Sequence, residues 1–407
     1  MNKYLYIGVL SGTSLDAVDV ALISFEPISQ HYSQLASIRL LSSLSYPIPK
    51  PYRERCLAIS EGATEGESLS IDEFGALDVE AGELFAKAVV ALLEAASVKA
   101  ADIRAIGSHG QNLRHCPNNT PPFTLQIGDP NVIAERTGIP VVADFRRRDI
   151  AAGGKGAPLA PGFHNAVFRS SDKNRVIVNI GGIANITVLP KDLSLPPKGF
   201  DTGPGNCLMD AWIGVEQGAD FDKEGRFALS GKSQSLLLEA FLNDPYFKLS
   251  PPKSTGREMF NLNWLNEKIN QMKIKFSAGS SSAKDFSSEN FTTGNFLAED
   301  IQATLLQLTA RTINDAIQSV APPDAEIYIC GGGAHNIALM RELEKHLGKT
   351  LQTTEALGLS PDWVEAALFA WLAKQTLEGN PGNCPSVTGA NRPAALGGIF
   401  GWCPDLI

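Results

Sequence analysis

Residues 4–25 read YLYIGVLSGTSLDAVDVALISF, and the other motifs of the chain are arranged around this stretch. Two apolar runs, 4–10 and 18–25, are rich in β-branched and aromatic residues and flank a short polar segment, a pattern that predicts a β-hairpin. The turn offers a glycine, several hydroxyls and nearby carboxylates on Asp16 and Asp19. Such groups can hold phosphate oxygens and a hydrated Mg²⁺ that bridges them. The alternative is a plain connector, because Ser, Thr, Asp and Gly are the usual residues of turns.

The length of the chain predicts two domains. Its 407 residues exceed the roughly 250–300 at which a single hydrophobic core usually stops growing. A hydrophobic content of 43% and a charged content of 19% are typical of a globular protein. No apolar run approaches the ~20 residues of a membrane-spanning helix, and no signal-peptide cleavage region follows Met1. We therefore expect a cytoplasmic protein without a membrane partner.

The charge balance argues against nucleic acid as a partner. The chain has 35 basic and 44 acidic residues and a formal net charge of -9. Its 6 cysteines are scattered without a C-x-x-C pair, so the sequence indicates neither a zinc site nor a disulfide framework.

A second strand, turn and strand unit lies about 170 residues after the first. Apolar runs at 175–180 and 186–190 flank the small residues GGIAN at 181–185. The opening hairpin is thus repeated, and we expect each half of the protein to present one phosphate-facing hairpin to a nucleotide.

Polar residues follow other predicted strands, where open α/β sheets tend to place ligand contacts. His109 and Gln111 follow the strand 103–107 and are candidate substrate contacts. Metal binding by His109 and His115 is the alternative, but their spacing fits no helical pair and no third ligand is close in the sequence.

Three arginines at 146–148 lie between Asp144 and Asp149 and suggest an anion site, because Arg binds planar oxyanions in a bidentate manner. A solvated, salt-bridged loop is the alternative. Asp201 lies in the segment GFDTGPGN at 199–206, which we expect to form a tight loop before a helix. That is a good position for a catalytic carboxylate, although an Asp before Thr-Gly is also an ordinary turn residue.

Three glycines, Gly331 to Gly333, follow the predicted strand 326–330 and precede a helix from Ile337. Glycines at such a junction let a phosphate or a flat ligand approach the backbone. The G-x-G-x-x-G spacing of dinucleotide sites is absent. The Ser-rich segment 276–296 predicts a surface loop.

Motifs distributed from end to end carry a family resemblance, and their joint occurrence is highly specific. They are SGTSLD at 11–16 with Asp19, GSHGQ at 107–111, QIGDP at 126–130, DFRRRD at 144–149, GAPL at 156–159, NIGG at 179–182, FDTGPGN at 200–206, KSTGR at 253–257 and CGGGA at 330–334. Together they resemble the acetate and sugar kinase, Hsp70 and actin superfamily. More narrowly, the chain resembles the anhydro-N-acetylmuramic acid kinase family of bacterial cell-wall recycling.

The resemblance implies an α/β fold of two ribonuclease-H-like lobes of the sugar kinase/Hsp70/actin type, with an active-site cleft between the lobes. Residues 1–140 would form the N-terminal lobe, completed by the returning segment 361–407. Residues 141–360 would form the C-terminal lobe with the phosphate and adenosine loops. The resemblance also suggests a homodimer.

The activity that the resemblance implies is conversion of 1,6-anhydro-N-acetylmuramate, water and ATP to N-acetylmuramate 6-phosphate and ADP. Asp201 matches the catalytic aspartate of the family and would be the base that activates water. Glu365 matches an active-site glutamate and would be a second catalytic carboxylate near the sugar. For Glu365 the alternative is a helix N-terminal residue stabilised by the helix dipole.

The resemblance also implies the binding residues. The substrate would be bound by His109, Gln111, Arg146, Asp149 and Gly203, with Arg146 as the candidate partner of the lactyl carboxylate. Asp16 and Asp19 would hold Mg²⁺ through water. ATP and its phosphates would be bound by Gly12, Thr13, Ser14, Leu15, Asp16, Ala17, Val18, Asp19, Gly181, Gly182, Asn185, Gly331, Gly332, Gly333 and Asn336.

Three alternatives remain open from the sequence. The same fold could serve a kinase for another sugar hydroxyl, which Asp201 would deprotonate directly. A sugar-sensing or actin-like ATP-binding protein would close on its ligand without turnover. A nicotinamide-dependent enzyme is the third alternative, and the glycine spacing argues against it.

Overall fold

The computed structural model describes residues 4–12, 15–26, 37–60, 70–277 and 296–401. Thr13 and Ser14 of the predicted phosphate turn, and 278–295 of the predicted Ser-rich loop, lie outside the described residues. The chain divides into two compact units: unit 1 comprises Met1–Arg175, Leu189–Lys198 and Thr354–Ile407, and unit 2 comprises Val176–Val188 and Gly199–Thr353.

The strands, in chain order, are β1 (Leu5–Ser11), β2 (Ala17–Glu26), β3 (Ser37–Pro47), β4 (Ala105–Ser108), β5 (Gln111–Cys116), β6 (Phe123–Ile127), β7 (Val141–Ala143), β8 (Arg175–Ile180), β9 (Ile183–Leu189), β10 (Lys198–Pro204), β11 (Glu326–Cys330), β12 (Gln352–Thr353) and β13 (Gly398–Phe400).

The α-helices are α1 (Lys50–Ser60), α2 (Ile71–Ala96), α3 (Pro130–Thr137), α4 (Phe145–Ala151), α5 (Ala160–Val167), α6 (Cys207–Gln217), α7 (Arg226–Ser230), α8 (Ser235–Leu242), α9 (Leu262–Ser277), α10 (Ala298–Val320), α11 (Ile337–Leu347), α12 (Val364–Leu377) and α13 (Pro385–Thr388).

The predicted opening hairpin is confirmed. β1 and β2 pair antiparallel from Leu5 opposite Ser24 to Ser11 opposite Val18. Within the turn, Leu15 adopts a positive φ of 55° and its N–H donates to the Gly12 carbonyl over 3.2 Å. The Leu15 side chain is buried in the core of unit 1, which explains why an aliphatic residue occupies this strained backbone position.

The two units repeat one strand order in the described part of the chain. In unit 1 the sheet runs β3-β2-β1-β4-β7, with β13 added beside β7, and in unit 2 it runs β10-β9-β8-β11-β12. Each sheet therefore starts from a three-strand meander whose first strand lies beside a later strand of the same unit. In unit 1, β4 is parallel to β1. The predicted α/β class and the predicted repeat of the opening hairpin are both confirmed.

Helix α12 packs directly on two strands of the unit 1 sheet. A Cβ atom built on Gly8 of β1 would lie 1.7 Å from the Ala366 carbonyl oxygen, and one on Gly107 of β4 would lie 1.9 Å from the Phe369 carbonyl oxygen. Adjacent strands therefore carry glycine where the helix backbone meets them. This packing fixes the first turn of α12, which carries Glu365, against β1.

The division into units differs from the predicted boundary at residue 140. Residues 141–175 belong to unit 1. The physical reason is that β7 pairs with β4 in parallel and with β13 antiparallel, so it is part of the unit 1 sheet. Among the described residues, no helix is both long enough and apolar enough to cross a membrane.

Candidate active site

Asp201 lies within strand β10, not in a loop as the sequence suggested. β10 is the edge strand beside β9, and sheet pairing overrides the turn preference of its Gly- and Pro-rich sequence. Gly203 serves packing instead of a turn: its φ is 144°, and an added Cβ would lie 2.7 Å from the Phe247 ring. The predicted substrate contact Gly203 is thus required by the local packing of unit 2.

A segment of unit 2 that follows α8 holds Asp201 in place. The Thr255 N–H donates to Asp201 Oδ2 over 3.1 Å, and the Tyr246 hydroxyl donates to the Asp201 carbonyl over 2.6 Å. The Asp201 N–H in turn donates to the Lys253 carbonyl over 3.2 Å. We call residues 246–255 the Asp201 clamp, because these contacts fix both the backbone and the carboxylate of Asp201.

The side chains of the Asp201 clamp also support one another. Burial, and then the negative charge of Asp201, raise the pKa of Tyr246, so its hydroxyl stays protonated and remains a donor. The Lys253 ammonium lies 4.7 Å from the centre of the Tyr246 ring, and burial lowers its pKa. The clamp therefore places a positive group beside the tyrosine that contacts Asp201.

The turn of the second hairpin is shorter than predicted and consists of Gly181 and Gly182, because β9 begins at Ile183. The Gly182 carbonyl accepts from the N–H groups of Gly205 and Cys207, and the Gly181 carbonyl accepts from that of Asn206. These contacts satisfy N–H groups at the start of α6. The turn carbonyls thus face the helix; the predicted Asn185 lies partly buried in β9.

The three glycines after β11 have different roles. Cβ atoms on Gly331 and Gly333 would collide with Asn179 and with Ile180 at the end of β8, whereas Gly332 has open space. Gly331 also has a positive φ of 80°. Packing therefore explains two of the glycines, and Gly332 alone keeps the open approach that a ligand would need.

Asn336, predicted to contact ATP, is the N-cap of α11. Its Oδ1 accepts from the Leu339 N–H over 3.1 Å, and the residue is 9% exposed. A capping oxygen already has its partner, so a contact of Asn336 with a nucleotide would use its other atoms.

His109 and Arg146 form a direct pair in unit 1. Arg146 Nε donates to His109 Nε2 over 2.9 Å, and its Nη1 donates to the Gly156 carbonyl over 3.0 Å. The His109 ring also stacks on Phe369, with centroids 4.6 Å apart. Burial, and then the neighbouring Arg146 charge, hold the pKa of His109 well below its usual range, so the imidazole is neutral.

The three consecutive arginines do not form one cluster. They lie on helix α4, not in a loop. Arg146 is partly buried, whereas Arg147 is exposed and pairs with Asp144 over 3.1 Å. The solvated salt-bridge alternative therefore describes Arg147, and only Arg146 is turned toward His109.

Asp149, predicted to bind substrate, is a fully buried structural acceptor. Its Oδ2 accepts from the Gly156 N–H over 2.8 Å, and its Oδ1 accepts from Asn383 Nδ2 and Thr388 Oγ1 at 2.9 and 3.0 Å. Asp149 thereby joins the loop after α4 to the C-terminal segment. Its contacts are those of a positioning residue, since both oxygens have protein partners.

The carboxylates near the first hairpin lie close enough to repel one another. Burial raises the pKa of Asp19, and the negative charges of Asp362 and Asp16 raise it further, although Ser45 donates a hydrogen bond of 2.5 Å to Asp19. Asp16 pairs with Arg53 over 2.7 Å. Sequence reasoning missed Asp362, whose only signal is its position just before the returning helix.

These carboxylates fit a hydrated cation. A Mg²⁺ ion bound through water would relieve the repulsion at Asp19, and oxygen ligands suit it. Among the described residues, no group of three or more His, Cys, Asp or Glu side chains forms a direct metal cluster. One or two carboxylates with several waters are a ligand set that Mg²⁺ commonly takes in proteins.

Glu365 lies in the first turn of α12, and its residue is exposed. Its neighbour Ala366 touches Gly8 of β1, so the position of the carboxylate is set by helix packing. Both the catalytic hypothesis and the helix-dipole alternative are compatible with this position.

Within unit 1 the structure brings together Ser11 and Ser108 near the carboxyl ends of parallel strands, the following turn carries His109, and Gln111 begins β5. Within unit 2 it places Asp201 and its clamp at a sheet edge. Polar groups gathered at strand ends are typical of ligand-binding α/β enzymes. The fold and these sites therefore place the protein in the class of ligand-binding α/β enzymes.

A family comparison specifies the class further. The family model described as Anhydro-N-acetylmuramic acid kinase matches residues 4–401. The chain therefore belongs to the anhydro-N-acetylmuramic acid kinase family, which confirms the family predicted from the motifs and, with it, the sugar kinase/Hsp70/actin type of fold.

Curated relatives with this name match nearly the whole chain. An anhydro-N-acetylmuramic acid kinase of Coxiella burnetii is 48% identical over 402 residues, covering 98% of each chain. That of Saccharophagus degradans is 48% identical over 404 residues, covering 98% of this chain and 100% of the relative. That of Vibrio vulnificus is 44% identical over 401 residues, covering 98% and 99%.

Solved structures give more distant matches. The activator of the 2-hydroxyisocaproyl-CoA dehydratase from Clostridium difficile with bound ADPNP has a TM-score of 0.42 at 12% identity, covering 92% of this chain and 97% of that chain. A ROK family glucokinase from Streptomyces griseus with glucose and AMPPNP has a TM-score of 0.36 at 12% identity, covering 91% and 99%. These scores are too low to support an argument about function.

Proposed function

We propose that this protein uses ATP to convert 1,6-anhydro-N-acetylmuramate and water to N-acetylmuramate 6-phosphate and ADP, a step in the recycling of cell-wall material. Membership of the anhydro-N-acetylmuramic acid kinase family supports the proposal. The structural observation that carries it is Asp201, whose carboxylate is held at a sheet edge by the N–H of Thr255.

Asp201 acts as the general base in this proposal. A carboxylate that accepts one fixed hydrogen bond on Oδ2 has a defined orientation toward water, which general-base catalysis requires. The water oxygen attacks the anomeric carbon, the bond from that carbon to O6 breaks, and Asp201 takes the proton. The released O6 forms its bond to the γ-phosphorus of ATP, and ADP leaves.

The hairpin turns supply the phosphate contacts in the proposal. The first turn contributes Gly12 and the segment to Asp19, and the second contributes Gly181, Gly182 and Asn185. Mg²⁺, when bound, would neutralise charge on the phosphoryl group that is transferred. Asp16 and Asp19, with Asp362 beside them, would hold the ion through water, and a cation there would favour the charged form of Asp19, whose pKa is raised by burial and by the charges of Asp362 and Asp16.

Gly332 provides the open backbone for the nucleotide near β11, and His109, Gln111 and Arg146 contact the sugar. Arg146 donates two hydrogen bonds within unit 1, and its positive charge is the proposed partner of the lactyl carboxylate. Glu365 is proposed as the second carboxylate near the sugar. A cytoplasmic location and a homodimer are part of the proposal on the family resemblance alone.

Coupled ADP release with ATP, Mg²⁺ and 1,6-anhydro-N-acetylmuramate tests the proposal, with mass detection of the sugar product. The wild type should give a product heavier than the substrate by one phosphoryl group (HPO₃) plus one water. Asp201→Asn, which keeps an acceptor for Thr255, should be at least about 100-fold slower. Asp220→Asn, which changes an exposed aspartate of the same unit, is the matched control and should retain wild-type activity.

Two outcomes would contradict the proposal. If the wild type releases no ADP with this sugar but does so with another, the substrate is wrong and the kinase assignment survives. If Asp201→Asn turns over as fast as Asp220→Asn, Asp201 is not the base.

A further inference from the structure

The turn after β4 carries a histidine whose tautomer is fixed by its neighbour. A guanidinium can donate hydrogen bonds but cannot accept them. Because Arg146 Nε donates to His109 Nε2 over 2.9 Å, Nε2 must be the acceptor of the ring. The proton of a neutral His109 is therefore on Nδ1.

His109 keeps this donor for a ligand. Burial and the charge of Arg146 hold its pKa well below the usual range, so the ring is neutral, although the neighbouring Gly110 main chain offsets part of the effect. Nδ1 is buried, and among the described residues it makes no well-formed hydrogen bond; the ring contacts the main chain of the adjacent Gly110. Stacking on Phe369 holds the ring in place.

Gln111, two residues later, offers an acceptor where His109 offers a donor. Its Nε2 donates to the Asn112 carbonyl over 3.1 Å, and a carbonyl can only accept, so the orientation of the Gln111 amide is determined. Its Oε1 is therefore an acceptor. That atom is buried and has no partner among the described residues, and Gln111 is only 2% exposed.

Buried polar atoms in native proteins nearly always have partners, in the protein, in ordered water or in a ligand, so a ligand that binds here can satisfy both atoms if it supplies an acceptor and a donor. A carboxylate offers no donor to Gln111, and an ammonium group offers no acceptor to His109. A secondary amide offers a carbonyl oxygen and an N–H on neighbouring atoms. One-donor, one-acceptor complementarity therefore excludes a charged substituent and favours an uncharged group that both accepts and donates, either a hydroxyl through one oxygen or a secondary amide through two neighbouring groups.

We propose that His109 and Gln111 read a secondary amide of the substrate, with His109 Nδ1–H donating to the amide carbonyl and Gln111 Oε1 accepting from the amide N–H. The inference rests on the proposed function, whose sugar carries one such group, the 2-acetamido substituent.

The site is held in shape before the ligand arrives. Arg146 Nη1 donates to the Gly156 carbonyl, and the Gly156 N–H donates to the buried Asp149 Oδ2. The residue that fixes the His109 tautomer is thus itself braced by two further contacts. A preorganised donor and acceptor lose little entropy on binding and discriminate strongly against an analogue that leaves one unpaired.

The test compares equilibrium binding of 1,6-anhydro-N-acetylmuramate with that of its 2-O-acetyl analogue, in which an ester oxygen replaces the amide N–H. Wild-type protein should bind the amide about tenfold more tightly than the ester, because only the amide satisfies Gln111. Gln111→Leu should abolish this preference. His109→Phe should weaken both sugars, since both keep the carbonyl, and Gln375→Leu is the control for a glutamine elsewhere in unit 1.

A second measurement reads the tautomer directly. Nitrogen-15 NMR of the free protein, with His109 assigned from His109→Phe, should show a neutral ring protonated on Nδ1. In Arg146→Met the constraint is gone, and the signal should shift toward the mixture of tautomers found in water.

The outcomes separate this inference from the proposed function. A wild type that turns the amide sugar over but shows no preference for it over the ester overturns the inference alone, as does a ring protonated on Nε2. Equal losses for both sugars in Gln111→Leu overturn it as well. A wild type that binds neither sugar contradicts the proposed function together with the inference. If Gln111→Leu does not fold, the wild-type preference and the NMR signal still decide.

Discussion

Asp201 shows how the position of one carboxylate is set by contacts distant in sequence. Its backbone carbonyl, N–H and Oδ2 each have a partner on the Asp201 clamp, residues 246–255. A carboxylate used as a base must be oriented to a fraction of an ångström, since small displacements reduce the rate strongly. At the scale of the residue, catalysis in our account depends on this clamp.

Tyr246→Phe removes the donor to the Asp201 carbonyl and keeps the aromatic packing. We expect kcat for the anhydro sugar to fall about tenfold, with the KM for ATP unchanged and unfolding destabilised by about 1 kcal/mol. Steady-state kinetics and denaturant unfolding measure both. Tyr328→Phe, which removes a hydroxyl bonded to Glu326 in the same unit, is the control and should keep the wild-type kcat.

Asp19 is a residue whose environment disfavours its charge. Burial and the charges of Asp362 and Asp16 raise its pKa. Asp19→Asn should therefore increase thermal stability in Mg²⁺-free buffer at pH 7, while lowering kinase activity about 100-fold because the cation loses a carboxylate. A variant that is both less stable and fully active would contradict the assigned role.

At the scale of elements, α12 lies against the backbones of β1 and β4, with no space for side chains at Gly8 and Gly107. No flexible side chain could move aside to make room, because the nearest obstacles are main-chain carbonyl groups. The helix that carries Glu365 is thus held by backbone contact with the sheet. We infer that Gly8 and Gly107 determine how closely the helix approaches.

Gly8→Ala should destabilise unit 1 by about 3 kcal/mol or more, since a methyl group would overlap the Ala366 carbonyl. Gly75→Ala is the matched control: Gly75 lies inside helix α2 and a Cβ there meets nothing within 4 Å. The control should stabilise by about 0.5–1 kcal/mol. Denaturant unfolding compares the two, and similar values for both would contradict the packing account.

At the scale of the whole molecule, several histidines are buried in their neutral forms. Burial lowers the pKa of His164 to about 3, and burial followed by the charge of Arg146 lowers that of His115 to about 4. In the unfolded chain both titrate near 6.5. The unfolded state therefore binds more protons below that pH, and stability falls as the pH is lowered from about 6.5 toward the folded-state values.

His164→Phe should make the unfolding free energy less dependent on acid pH. Between pH 6 and 4 the unfolding free energy of the wild type should fall by up to about 1.4 kcal/mol per pH unit more than that of the variant. The reason is that the variant, which lacks the imidazole, takes up one proton fewer when it unfolds. Urea unfolding at pH 7, 6, 5 and 4 gives the slope. His335→Gln, at an exposed position, should keep the wild-type slope; identical slopes for all three proteins would contradict the account.

Local patterns predicted much of the fold. The opening hairpin and its repeat at β8 and β9 follow from apolar runs around small turn residues, and the structure confirms both. The prediction of a tight loop around Asp201 was wrong, because the pairing of β10 with β9 outweighs the turn preference of the local sequence. The contact of Arg146 with His109 spans 37 positions, and no local pattern indicates it.

The roles of the site residues could be predicted only in part from the sequence, because they also depend on contacts between distant residues. Motif residues such as Asp149 and Asn336 were identified, but their contacts show one as a buried acceptor and the other as a helix cap. Asp362 was missed, because its closeness to Asp19 arises when the C-terminal segment returns to the unit 1 sheet. Long-range contacts assign roles that residue type alone leaves open.

A turnover experiment in water enriched in oxygen-18, with the product analysed by mass spectrometry after fragmentation, tests whether water opens the anhydro ring. Our account predicts one heavy oxygen per product molecule, bonded to the anomeric carbon, and an unlabelled phosphate group. A phosphorylated product without label would show that water does not attack the anomeric carbon, and label confined to free phosphate would show only hydrolysis of ATP. Either of those results would contradict the account.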